Sequence, residues 1–389
     1  MVSFDNTAIA FSGKSDGDLT RAYLLFKLIG NNRLVNLGKT ATKLAIRLRF
    51  PIEGIVKATI FKQFCGGTDL QTCDKTINDL AEFNIGTILN YSAEGNEMEK
   101  DFARALSEVL GTIDLAYQNP KIPFCVFKVT GIARFDLLEK VSNRSNLSES
   151  EKQEYELVEK RVEKICGKAE ELGVKVFIDA EESWIQQAID DLATNAMRLH
   201  NVQQPLIYNT IQIYRSDRLQ FLKDAITVAK GENYFLGIKL VRGAYMEQER
   251  ERAATQNYES PIHGSKEDTD IDYERALRIL VENNKYVATC AGTHNEKSCL
   301  DLIKIMEERG IDKTDTSIYF AQLLGMSDQI SYNLASAGYN IAKFVPYGPV
   351  KEVIPYLIRR AEENTAMAGQ VGRELALILQ EKKRRRAIK

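Results

Sequence analysis

The sequence predicts an α/β chain built as a (β/α)8 TIM-type barrel with an N-terminal helical arm. Three observations predict it. Eight short apolar, β-branched runs follow one another along the chain, helix-length segments separate most of them, and the polar residues that interrupt the runs collect at or near their C-terminal ends. Strands alternating with helices pair in parallel through right-handed crossovers. Eight such units argue for a closed barrel over an open sheet. A chain of 389 residues can bury one large barrel core together with an appendage.

Residues 1–80 read as the helical arm, because Leu19, Tyr23, Phe26 and Leu28–Ile29 recur at helical spacing and Leu44, Ile46 and Leu48 follow. The barrel spans 81–380. Its expected strands are Ile85–Tyr91, Phe124–Val129, Val174–Asp179, Leu206–Tyr214, Tyr234–Val241, Tyr286–Ala291, Ser317–Gln322 and Asn340–Val345. Helical segments such as Glu151–Leu172, Glu182–Asn201 and Tyr273–Asn284 lie between them. Two long polar segments, Ser142–Tyr155 and Met246–Asp270, each follow a strand and read as loops on one barrel face, the second where a barrel enzyme keeps its lid. Residues 381–389 read as a basic tail.

A formal net charge of −2 argues against a nucleic-acid partner. The average hides an asymmetry. Lys14 to Lys62 holds ten Lys/Arg against three Asp/Glu, and the tail adds Lys382, Lys383, Arg384, Arg385, Arg386 and Lys389. These cations read either as solvated helix faces or as a docking surface for an anionic membrane. The six cysteines form no CxxC pair and the three histidines complete no zinc cluster, so no metal is expected and a reducing compartment is. The N-terminus lacks a signal-peptide core and no apolar run reaches the roughly 18–20 residues of a membrane span. The expected location is the cytoplasm, peripheral on the inner face of the cell membrane, or the matrix side of a mitochondrial membrane in a eukaryote.

Barrel active sites assemble at the C-terminal ends of the strands. There the chain carries Glu94, Lys128, Asp179, Glu181, Glu182, Gln212, Lys239, Arg242, Thr293-His294-Asn295, Gln322 and Tyr347. Each has a bland alternative: Lys128 snorkelling from the barrel mouth, Asp179 capping the next helix, Gln212 bonding to a neighbouring backbone. Their shared polarity is hard to obtain from packing alone. The segment Pro355–Asn364 adds adjacent Arg359 and Arg360, with Glu363 within ion-pair reach of either and Tyr356 on a neighbouring part of the same helix surface. Such a segment reads as a solvated i,i+4 network or as a guanidinium pair that grips a carboxylate.

Five motifs decide the comparison. Phe177-Ile178-Asp179-Ala180-Glu181-Glu182, Lys239-Leu240-Val241-Arg242-Gly243-Ala244-Tyr245, Gly292-Thr293-His294-Asn295, Gln322-Leu323-Leu324-Gly325-Met326 and Tyr356 through Asn364 occur in this order over Phe83–Gly372. The chain resembles the proline dehydrogenase family in its stand-alone form. The resemblance implies a distorted (β/α)8 barrel that binds FAD without a GxGxxG loop, L-proline as substrate and a membrane quinone as electron acceptor. It implies that Arg359, Arg360 and Lys128 bind the proline carboxylate, that Asp179, Tyr347 and Tyr356 line the pocket, and that Leu240 and Tyr245 pack around the ring. It assigns Gln212, Lys239, Val241, Gly243, Ala244, Thr293, His294, Asn295, Gln322 and Glu363 to the flavin, and Glu94 to an ion-pair gate.

Two features depart from the bifunctional bacterial branch of that family: Lys239 replaces its usual arginine, and the stretch from Tyr347 to Arg359 is shorter. Tyr347 is bulky where relatives that prefer hydroxyproline resemble this pattern with a smaller residue, so proline is the expected substrate. Oxidation of 4-hydroxyproline by the same chemistry, or a Schiff-base lyase using Lys128 or Lys239 as nucleophile, are the alternatives.

Overall fold

A computed structural model describes residues 2–31, 35, 37–38, 53–92, 98–366 and 368–388. Eight parallel strands, β1 (Gly86–Tyr91), β2 (Phe124–Lys128), β3 (Val176–Asp179), β4 (Ile207–Gln212), β5 (Leu236–Val241), β6 (Val287–Gly292), β7 (Ile318–Leu323) and β8 (Ile341–Tyr347), close into a barrel in chain order. The predicted barrel and all eight of its strands are present. Tyr347, expected just beyond the last strand, is instead its final residue.

The helices are α1 (Thr7–Ala10), α2 (Asp16–Ile29), α3 (Leu70–Ala81), α4 (Glu99–Gln118), α5 (Phe135–Ser142), α6 (Glu149–Leu172) and α7 (Ser183–His200). They continue with α8 (Arg218–Glu232), α9 (Met246–Gln256), α10 (Lys266–Glu282), α11 (Glu296–Glu308), α12 (Asp328–Ser336), α13 (Val350–Ala366) and α14 (Ala368–Ile388). Residues 53–64 are also helical.

Both polar segments read as loops are largely helical. Ser148 and Glu151 form a reciprocal capping box that starts α6 inside the first segment. Met246–Asp270 contains all of α9 and the first turn of α10. Charged helices with few apolar positions carry a weak apolar period, which is why they resemble loops in sequence.

Contacts divide the chain into two compact units: Met1–Thr87 with Ser92–Glu94 and Gln322–Lys389, and Ile88–Tyr91 with Gly95–Ala321. In the second unit the strand register builds layers. Val126 pairs with Phe177 and Phe177 with Tyr208, while two residues further along Lys128 pairs with Asp179, and Thr210 pairs with Lys239. Side chains alternate with period two, so the lower layer and the polar layer share one face. Phe124 stacks on Phe177 at 4.4 Å and meets Tyr319 of β7 edge-on at 4.8 Å, a contact between non-adjacent strands that identifies this face as the barrel interior. Gly237 keeps this layer open for an aromatic ring, because a Cβ there would lie 2.7 Å from Tyr208. The barrel interior thus carries an aromatic floor beneath a layer that holds Lys128, Asp179 and Lys239.

In the first unit, α2 and the C-terminal helices share one hydrophobic core that includes Leu19, Phe26, Phe64, Val353, Leu357 and Leu377. Residues 381–388, read as a basic tail, are the last turns of α14. Arg384 and Arg385 pair with the buried Glu381, and Arg385 also donates to Asp16 and to the carbonyls of Phe11 and Lys14. Leu44, Ile46 and Leu48, and with them much of the basic stretch from Lys14 to Lys62, lie outside the described residues.

Candidate active site

In the unit holding β2–β6, the charged layer above the aromatic floor is internally paired. Asp179, at the end of β3, forms a buried ion pair with Lys239 of β5. The ammonium of Lys239 also lies over the Phe177 ring at 5.2 Å. Lys128, at the end of β2, donates to the Tyr245 hydroxyl at 3.2 Å and lies 5.8 Å from that ring's centroid. These four predicted residues come together at the ends of three strands. Leu240 is fully buried on β5, with Val241 ending the strand beside it.

Gln212 bonds to neighbouring backbone on both sides: its amide donates to the Glu181 carbonyl at 2.6 Å and its oxygen accepts from the Ala244 amide at 3.3 Å. It therefore ties the β3, β4 and β5 ends together. Gly243 follows with φ +142°, and a Cβ there would lie 2.4 Å from the Tyr214 ring. Only glycine makes that turn, which carries the chain from β5 to Tyr245.

Arg242 holds a second junction. It donates to Asp270 at 2.7 Å, Thr293 Oγ1 at 2.7 Å and Ser298 Oγ at 2.9 Å, and stacks over Tyr273 at 4.3 Å. Burial works against the Asp270 charge, yet hydrogen bonds and charge from Lys266 and Arg242 hold its carboxyl below the usual range. Asn295 caps α11 by accepting from the Ser298 amide. His294 lies between Thr293 and this cap and is half-buried.

Sequence reasoning placed Glu181 at a strand end but gave it no role. Its carboxylate accepts from the Thr130 amide at 3.0 Å and the Thr130 hydroxyl at 2.5 Å. Burial pushes this carboxyl up to about 7, against the pull of the nearby Lys128 charge. A buried carboxyl raised toward neutrality beside a cation is a candidate functional position. The signal in the sequence is the acidic cluster Asp179, Glu181 and Glu182 closing the apolar run of β3.

In the other unit, Arg360 stacks over the Tyr356 ring at 5.0 Å, and both residues are buried on α13. Tyr356, three residues before Arg359, also meets Arg360, its i,i+4 neighbour; Arg359 is half-buried. Gln322, expected to end its strand, is next to last on β7, and its side-chain oxygen accepts from Ser331 Oγ at 2.9 Å. Tyr347 is fully buried, and its carbonyl accepts from the Ser92 amide at 2.9 Å. Glu94 and the side chain of Glu363 lie outside the described residues.

Residues 73–373 match the family model described as proline dehydrogenase. The chain belongs to the proline dehydrogenase family. It is 32% identical to "Proline dehydrogenase 1, mitochondrial" of Dictyostelium discoideum, over 98% of this chain and 74% of that protein. It is 38% identical over 296 residues to the Homo sapiens protein of the same name, covering 74% of this chain and 49% of the human one. In fold it is similar to a crystal structure of proline utilization A from Bdellovibrio bacteriovorus, with a TM-score of 0.72 and 18% identity, over 92% of this chain and 38% of that one. The chain therefore spans only a part of some of these longer proteins.

The residues at the ends of β4–β6 suit a flavin. An oxidised isoalloxazine accepts hydrogen bonds at its carbonyl oxygens, N1 and N5 and donates one from N3–H, and this part of the chain offers an ammonium at Lys239, an amide side chain at Gln212, an imidazole at His294 and side-chain-free backbone at Gly243. Among the described residues no group of His, Cys, Asp or Glu could hold a metal ion, and no helix is long and apolar enough to cross a membrane.

Proposed function

We propose that this chain oxidises L-proline to Δ1-pyrroline-5-carboxylate with FAD as cofactor, and that the electrons pass on to a membrane quinone. The observation that carries the reading is the convergence of Lys128, Asp179, Lys239 and Tyr245 at the ends of β2, β3 and β5, in a chain of this family. When bound, FAD supplies the acceptor for the hydride that leaves proline C5, while the N–H proton departs and the ring becomes a cyclic imine.

The chain's own residues bind and orient. Arg359 and Arg360 answer the carboxylate, with Lys128 as a third cation. Asp179, Tyr347 and Tyr356 line the pocket, and Leu240 and Tyr245 pack around the ring. Positive charge around the substrate favours its neutral amine, the form that can lose hydride. Gln212, Lys239, Val241, Gly243, Ala244, Thr293, His294, Asn295, Gln322 and Glu363 hold the flavin, and Glu94 gates the pocket. The bulk of Tyr347 favours proline over 4-hydroxyproline.

The ion pair of Lys239 with Asp179 argues against a Schiff-base lyase at that position, since a paired ammonium lacks the lone pair that attacks a carbonyl. The basic N-terminal stretch and α14 support peripheral contact with an anionic membrane, on the inner face of the cell membrane or the matrix side of a mitochondrial one.

The test is the absorption spectrum of the purified protein before and after L-proline, without an acceptor. Flavin bands near about 450 nm that bleach with proline are expected. Bleaching with hydroxyproline alone moves the substrate, and a colourless protein that cannot be reconstituted with FAD overturns the reading. Salt-sensitive binding to anionic vesicles checks the membrane contact.

A further inference from the structure

The helix after β5 is polar almost throughout, Met-Glu-Gln-Glu-Arg-Glu-Arg-Ala-Ala-Thr-Gln, yet Glu249 on it has no exposed surface. A carboxylate with solvent available on the rest of its helix is buried only when specific donors replace the water. Those donors are on α7. The Ser183 amide and the Ser183 hydroxyl each donate to a different oxygen of Glu249, both at 2.6 Å. Ser183 is the first residue of α7, whose preceding residue, Glu182, makes no side-chain capping bond. Glu249 therefore caps α7 from a different helix, where the positive end of the helix dipole also favours its charge.

One turn further along α9, Arg252 pairs with Glu139 of α5 and stacks over the Trp184 ring at 4.5 Å. Two successive residues of α7, Ser183 and Trp184, thus receive two residues of α9 one turn apart. In the other direction, the Glu249 amide donates to the Tyr245 carbonyl at 2.9 Å, and Tyr245 is the residue on which α9 begins. The Tyr245 hydroxyl is the group that meets Lys128.

We infer that Glu249 is a positioning residue: it latches α9 onto the first turn of α7 and so fixes Tyr245 against Lys128. Glu249 acts through Tyr245, and the consequence for substrate rests on the proline-oxidising reading above. A side chain that fixes the pocket wall supports substrate binding more than the hydride step, so its loss appears in KM.

The experiment compares the full-length unaltered protein with Glu249→Gln, Ser183→Ala and Ser183→Thr, reading hydrogen exchange of residues 246–256 together with kcat and KM for L-proline. Glu249→Gln keeps the volume but brings an amide N–H against the donors of Ser183. It is expected to speed exchange in α9 by about tenfold or more while the barrel strands stay protected. KM is expected to rise roughly five- to tenfold with kcat within about twofold. Ser183→Ala shifts both in the same direction by less, and Ser183→Thr, which keeps the hydroxyl, restores both. Unchanged exchange in Glu249→Gln overturns the latch. Loosened α9 with unchanged KM overturns the positioning role, leaving Glu249 a purely structural cap. If the unaltered protein does not oxidise proline, it is the functional reading that fails, and the latch then stands or falls on exchange alone.

Discussion

Lys239 and Lys343 sit in nearly interchangeable strand sequences, Gly-Ile-Lys-Leu-Val and Ile-Ala-Lys-Phe-Val, yet their surroundings assign them opposite work. Lys343 is fully buried and donates to Asp328 at 2.9 Å, to the Met326 carbonyl, and to the Leu323 carbonyl at 3.4 Å. Three protein acceptors match the three donors of an ammonium. Burial pushes its amine down against the pull of Asp328, whose own carboxyl is held low by Lys343 and Lys14 despite its burial. The turn it secures runs through Gly325 at φ +76° and Ser327 at φ 52°, the latter held through its amide by Glu374. Lys239 instead faces Asp179, whose register partner is Lys128, in the polar layer at the strand ends. A buried strand lysine is thus not in itself a sign of chemistry. Its partners decide, according to whether they close a backbone turn or join other charges at the mouth of the strands.

That contrast can be broken most directly by removing each ammonium. Lys343→Met leaves the buried Asp328 with Lys14, 3.6 Å away, in place of its closer ammonium, and is expected to cost about 3–5 kcal/mol of stability in denaturant unfolding. Lys239→Met strands the buried Asp179 in the same way and is expected to cost a similar amount, but also to lower proline turnover by about a hundredfold. Turnover left intact in the folded Lys239 variant would erase the distinction. The comparison sharpens with the cations on α13. Replacing Arg359 or Arg360 by Met is expected to raise KM for proline about tenfold or more, since a charged hydrogen bond is worth roughly 1.5–3 kcal/mol. Unchanged KM in both variants removes the carboxylate assignment.

The smallest effect concerns Glu181, whose folded-state value of about 7 lies above its ordinary 4.5. Between those values the folded chain holds a proton that the unfolded chain releases, so stability falls as pH rises through that window and levels off above it. The unaltered protein is therefore expected to lose roughly 1–3 kcal/mol more than Glu181→Gln between pH 5 and pH 8 in denaturant titrations. A difference that does not change with pH would mean that Thr130 and Lys128 hold this carboxyl in its ordinary range.

Much of the architecture was legible in advance. The barrel strands begin and end within a few residues of their predicted bounds, because a β-branched apolar run followed by a polar residue is a local signal. The residues at the strand ends were legible for the same reason: a charge or amide that interrupts an apolar run is visible without neighbours. What local pattern missed was the polar helix α9, and with it Glu249, which reads as one more charge among many in its segment.

By itself the sequence determined the barrel, the family and the set of side chains offered at the strand ends, since alternation, spacing and motif order are properties of the chain alone. Only the tertiary structure decided which of those side chains meet: Asp179 with Lys239, Lys128 with Tyr245, Gln212 with two backbones, Glu249 with the first turn of α7. Burial and hydrogen bonding are set by contacts between residues far apart in the chain, here 60 positions for Lys239 and Asp179 and 117 for Lys128 and Tyr245. No local period or propensity encodes such a pairing, because the free energy of a buried charge depends on the donors and acceptors that folding places around it.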